Sequence, residues 1–183
     1  MKISIFSFLF LFLSIAHAMC PESLKYAHRD QIERLLSNRQ NFLELIEGVH
    51  EADKEWLMVV PNIVGYVSAE QSNSLRDALI HSLLFSTNES LTALHAIDKE
   101  IIKYGHSSVR DKLGTDSVCA YMINTEKYDR KSFFGYYLKA KENLIKSGVR
   151  GKNCLELMDS SVEETLYEEK IGCLTWGKEK YAF

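Results

Sequence analysis

The sequence predicts an all-α protein, a single compact domain of five to seven helices behind a leader. Three observations predict it. Apolar residues recur at three- and four-residue spacing along most of the chain, the period of a helix with one buried face. Only two prolines occur, Pro21 and Pro61. Glycines Gly48, Gly105, Gly148 and Gly172 close periodic stretches, where a helix stop belongs. No Asn-Gly or Asp-Gly hairpin turn separates alternating strands.

Residues 1–18 read as a secretory signal peptide. Lys2 precedes an apolar run from Ile3 to Ile15, and Ala16-His17-Ala18 places small residues at the two positions a signal peptidase reads. The run is short for a bilayer span. The expected mature chain is 19–183, one helical domain with no stable membrane anchor after cleavage.

The first mature helix should open at Pro21-Glu22, because proline fits a first helical turn. Leu24, Ile32, Leu35, Leu36, Phe42, Leu43, Leu45 and Ile46 form its apolar face, with a break near Ser37-Asn38 and an end at Gly48. Glu51 to Val67 reads as a second helix interrupted at Pro61, where a hydrogen bond is lost and the ring crowds the preceding turn. It is the most apolar stretch of the mature chain and the expected centre of the core. A short strand at Trp56 to Val60 is the alternative, given its β-branched residues.

Ser68 followed by Gln71 has capping-box spacing and opens a third helix through Leu75, Leu79, Ser82, Leu83 and Phe85. Thr87-Asn88 caps a fourth, with Leu91, Leu94, Ile97, Ile101 and Ile102 on its face and Gly105 at its end. Gly114-Thr115-Asp116 turns into a short segment holding Cys119. Thr125 to Ser147 is a long helix whose expected face is Phe133, Phe134, Tyr137, Leu138, Leu144 and Ile145. A last helix begins after Gly151-Lys152-Asn153 and carries Cys154, Leu155, Leu157, Met158, Val162, Leu166 and Tyr167. Gly172 ends it, and a tail with Cys173 and Trp176 follows.

Lys plus Arg number 22 against 25 Asp plus Glu, a net charge of −3, and loss of Lys2 with the leader lowers it by one more. This balance favours solubility and gives no basic surface for nucleic acid. The four cysteines, Cys20, Cys119, Cys154 and Cys173, all lie in the mature part. An even count in an exported chain reads as two disulfides, with three pairings open. No Cys-x-x-Cys pair or neighbouring His offers zinc-ligand spacing.

Glu47-Gly48-Val49-His50 matches one Glu-x-x-His step of helical di-iron sites, which need a second copy that is absent. Asp77 and His81 lie one helical turn apart and could join His50, but scattered surface histidines are the commoner arrangement. Gly-x-Ser-x-Gly, His-Glu-x-x-His and glycine-rich phosphate loops do not occur. No catalytic residue, metal ligand or cofactor is assigned. Tyr136, expected to point away from the core face, and Trp176, near Cys173, are candidate partner-binding anchors. The acidic run Glu163, Glu164, Glu168 and Glu169 could meet a basic partner, although residue for residue a solvated helix face is the favoured reading.

The leucine-rich stretch Leu91 to Ile102, the Ser117-Val118-Cys119 step, the long aromatic-bearing helix and Cys154 opening a final helix resemble a group of small exported helical proteins of Gram-negative bacteria with no assigned activity. The resemblance covers the second half of the mature chain. It implies a Cys119–Cys154 disulfide and a periplasmic address, and carries over no catalytic residue. Cys20 and Cys173 lie outside it; a Cys20–Cys173 link, tying the mature N-terminus to the tail, is favoured beside it. In size, class and compartment the chain is also similar to periplasmic immunity proteins. The expected function is therefore a periplasmic or secreted protein-interaction module, an inhibitor or immunity protein acting by occlusion on another envelope or secreted protein. An envelope hydrolase using dispersed Asp, Glu and His residues is the alternative and would show a deep pocket with converging polar groups. A structural envelope component would show a broad apolar patch.

Overall fold

A computed structural model describes residues 19–183; the leader expected at 1–18 lies outside them. Among the described residues there are nine α-helices and no strand. They are α1 (Pro21–Lys25), α2 (Arg29–Ser37), α3 (Arg39–His50), α4 (Lys54–Ile63), α5 (Ala69–Ser82), α6 (Thr87–Tyr104), α7 (Thr115–Tyr121), α8 (Arg130–Lys146) and α9 (Lys152–Lys170). Short 3-10 turns cover Asp111–Leu113 and Gly148–Arg150. None of these helices is long and apolar enough to cross a membrane.

The count exceeds five to seven because the expected first helix is three. Asn38 ends α2 and caps α3, its side chain accepting from the Gln40 and Asn41 amides at 3.0 and 3.2 Å. A second break, at Tyr26-Ala27-His28, has no glycine or proline to announce it. Gly48 does not end α3, which runs on to His50. Its role is close approach: a Cβ there would lie 2.1 Å from Cδ1 of Trp56. The indole of α4 packs directly on the α3 backbone.

Pro61 does not interrupt its helix either. It lies inside the last turn of α4, which ends at Ile63, so only the bond to the Leu57 carbonyl is forfeited. The stretch is buried at Leu57, Val59, Val60, Pro61, Ile63, Val64 and Val67. It packs against α1, α3 and α6, while α3 also packs on α5. Each such Leu, Ile or Val contributes about 1.5–3 kcal/mol by leaving water. The Ser68–Gln71 capping box opens α5 as expected, and the Gln71 amide reaches across to donate to the Leu36 carbonyl at 2.8 Å.

The long helix starts later than expected, at Arg130, where the Asp129 carboxylate accepts from the Ser132 amide at 2.7 Å. Its inner face is Phe133, Tyr136, Ala140 and Leu144, spaced three and four apart. Leu138 and Ile145, expected inside, fall on the opposite side and are exposed. Tyr136, expected outside, is fully buried, and its hydroxyl donates to the Ile80 carbonyl at 2.8 Å. Asn143 adds a 2.9 Å bond to the Leu84 carbonyl, so two polar tips fix α8 to the end of α5.

Cys119 of α7 and Cys154 in the first turn of α9 form a disulfide, Cα to Cα 5.2 Å, with both residues buried. The second expected disulfide is not present. Cys20 and Cys173 are free and exposed. The termini are held by different elements: Met19 reaches Glu44 of α3, whereas the tail after Cys173 runs along residues 125–129.

Candidate functional site

The most concentrated group of chemically capable side chains lies where α3 ends, α5 ends and the C-terminal tail crosses α8. The tail is anchored first by its backbone. The Gly177 amide donates to the Thr125 carbonyl at 2.8 Å and the Glu179 amide to the Lys127 carbonyl at 3.1 Å. The Asp129 amide returns a 2.8 Å bond to the Glu179 carbonyl, forming an isolated parallel bridge beside Tyr128. Only glycine fits at 177, since a Cβ would lie 2.1 Å from the Lys127 carbonyl carbon. The Tyr181 amide then donates to Ser132 Oγ at 2.9 Å.

This anchoring places Tyr181 in an aromatic cluster with Tyr128 (ring centroids 5.1 Å), Tyr136 (5.8 Å) and His81 (5.7 Å). Burial raises the Tyr181 phenol above its ordinary range. Phe183 stacks edge-on to Tyr181 and lies over Gly135. Lys139 holds its ammonium 4.8 Å from the Phe85 ring centroid and 5.7 Å from that of Phe183, a cation between two aromatic faces. Phe85 and Phe183 are each about half exposed, 50% and 53%.

His50 and His81, both singled out in the sequence, do meet. Their rings stack at 3.5 Å with an interplanar angle of 11°. The ring Nδ1–H of His81 donates to the His50 carbonyl at 2.9 Å, and Phe85 covers the next side of the same ring at 4.8 Å. His81 is buried and His50 exposed. Burial is the main reason the His81 imidazole titrates below its ordinary value, reinforced by the nearby His50 and Lys139 and opposed by backbone carbonyls of His50 and Ala182. A neutral imidazole with Nδ1 committed to the backbone is well suited to holding α5 against α3. Glu47 and Asp77 are exposed. Among the described residues no three His, Cys, Asp or Glu side chains gather as a metal site.

The other sequence-derived candidates separate. Tyr136 is inside the core, out of reach of any partner. Trp176 is folded back on the domain: its ring lies 5.3 Å from that of Phe133, and its Nε1 donates to Glu169 Oε1 at 2.8 Å. The same carboxylate oxygen accepts from Arg130 Nε at 2.8 Å, which lowers the Glu169 pKa. Glu168 is half-buried, while Glu163 and Glu164 are exposed on α9. Only that last pair remains an open acidic surface.

A second polar group, absent from the sequence reading, lines a cleft of about 460 Å³ between α6 and the start of α7. His106 Nδ1 pairs with Asp111 Oδ1 at 3.0 Å. Asp98 accepts from the Thr115 amide at 2.9 Å and from Thr115 Oγ1 at 2.6 Å. Its carboxylate is thereby spent as the cap of α7 across the chain. No spacing rule pairs Asp98 with Thr115, since the contact joins two helices through an irregular turn. Phe85 and Phe183 were equally hidden: one reads as an ordinary helix-end residue and the other as a tail residue.

Compared with known protein families, with curated proteins and with solved structures, the chain matches none.

Proposed function

We propose that the protein is a periplasmic or secreted protein-interaction module, an inhibitor or immunity protein that occludes another envelope or secreted protein. The observation that supports this reading is the half-exposed aromatic face of Phe85 and Phe183, bridged by Lys139 and backed by the stacked His50 and His81. Aromatic side chains already held in place lose little freedom on docking and dominate typical interfaces. The cation between the rings favours a partner surface with an apolar centre and a carboxylate. Tyr136 leaves this reading because of its burial, and Trp176 acts in it as a strut for the tail. Glu163 and Glu164 keep a secondary role, setting encounter rate with a basic rim.

The test is capture from envelope extract by the oxidised mature protein, with mass spectrometry of the eluate. One stoichiometric partner is expected, lost for Phe85→Ala/Phe183→Ala and retained for Glu163→Ala/Glu164→Ala with slower association. A partner equally well held by the aromatic double variant refutes this face. The hydrolase reading keeps one observation, the meeting of His50 and His81. Turnover of an envelope substrate that disappears in His50→Ala, with no partner captured, would establish it instead.

A further inference from the structure

Two independent features coincide at residue 19. The sequence ends its leader pattern at Ala16-His17-Ala18, so that Met19 is the residue a signal peptidase would expose. In the fold, Met19 is not a loose end. The residue is 7% exposed and belongs to the hydrophobic core cluster. Its backbone nitrogen lies 2.6 Å from Glu44 Oε2 on α3. The other carboxylate oxygen accepts from the Gln40 side-chain amide at 3.3 Å, which orients the group from the preceding turn. Chain ends are ordinarily frayed unless something ties them down. A carboxylate is a better partner for an ammonium than for an amide, because both ends of the bond then carry charge.

We propose that Glu44 is the receptor of the mature amino terminus. Hydrolysis of the Ala18–Met19 bond by a signal peptidase consumes one water. Its oxygen completes the Ala18 carboxylate, and a proton goes to the Met19 nitrogen. That amine takes up a further proton near neutral pH, where an α-amino group is mostly charged. The resulting ammonium closes on Glu44, with the Met19 side chain held in the core as it already is in the fold. Processing therefore adds a charge-assisted bond that the unprocessed chain makes only as a neutral amide. The proposal rests on the export reading but not on the identity or existence of any partner, so loss of the partner reading leaves it standing.

The experiment has two parts. The full chain is exported by its own leader in a bacterial host, and the recovered protein is sequenced from its N-terminus. Met19 is the expected first residue; any other first residue overturns the proposal. Urea midpoints are then compared for chains beginning at Met19 and at Ala18, each with and without Glu44→Gln. In the Met19 chain, Glu44→Gln should lower the midpoint clearly, and restoring Ala18 should lower it similarly. In the Ala18 chain, Glu44→Gln should lower it by less than half as much. Equal losses in both chains would mean that Glu44 holds only the amide, and would overturn the receptor role. If Glu44→Gln prevents folding, chemical acetylation of the Met19 α-amine supplies the same comparison and must lower the midpoint.

Discussion

Replacing both bonded cysteines, Cys119→Ala/Cys154→Ala, should lower the stability of the oxidised protein by about 4 kcal/mol. The two residues are 35 apart in sequence. Releasing a loop of that length restores about 13 cal/mol/K to the unfolded chain on the loop-closure model, close to 4 kcal/mol at room temperature. The folded state gains nothing in exchange, since both cysteines are buried and α7 packs along α9. With a urea dependence of about 2 kcal/mol/M, the midpoint should fall by about 2 M. Equilibrium urea unfolding followed by far-ultraviolet circular dichroism reads the shift, and reductant added to the unmodified protein should reproduce most of it. Cys20→Ala/Cys173→Ala is the internal comparison. Both residues are exposed and unbonded, so that variant should stay within about 0.3 M of the parent. A midpoint change under about 0.5 M in the first variant, or a comparable fall in the second, would refute the reasoning.

Gly48→Ala should destabilise despite the better helix propensity of alanine, because the new methyl would stand 2.1 Å from the Trp56 ring and the indole would have to leave its seat on α3. A loss of about 1–3 kcal/mol is expected, read as a lower Tm; a raised Tm would mean that Trp56 relocates without cost. The His81 imidazole is held neutral by burial, with His50, Lys139 and Tyr181 facing it from α3, α8 and the tail. Its folded pKa lies below the unfolded value of about 6.5, so the unfolded chain binds more protons in acid. Stability should therefore hold above pH 7 and fall as pH drops through 6 toward the depressed folded value. His81→Phe, which keeps the stack, should flatten that slope in denaturation midpoints taken between pH 7.5 and 5. An unchanged slope would assign the acid sensitivity elsewhere.

The sequence by itself determined the helical class, because the positions of Leu75, Leu79, Leu91, Leu94, Ile97 and Ile101 depend only on the period of one helix. It also located the break at Ser37-Asn38 and the cap at Ser68, since a side chain closing on an amide two or three residues away is a local event. The Cys119–Cys154 pairing was implied by resemblance, and the structure places the two sulfurs together. The face of α8 was misjudged. Phe133, Phe134, Tyr137, Leu138 and Ile145 are all apolar enough to be core. Only the neighbours of α8 select Phe133, Tyr136, Ala140 and Leu144. The acceptor that makes a buried Tyr136 tolerable, the Ile80 carbonyl, lies 56 residues away. Separations of 31, 49 and 17 residues likewise hid the stacking of His50 on His81, the tail crossing α8 at Ser132 and the use of Asp98 to cap α7. Short-range hydrogen bonding and periodicity can be read from a chain in order. Which polar group meets which, and which apolar face is left in water, depends on where the helices come to rest against one another.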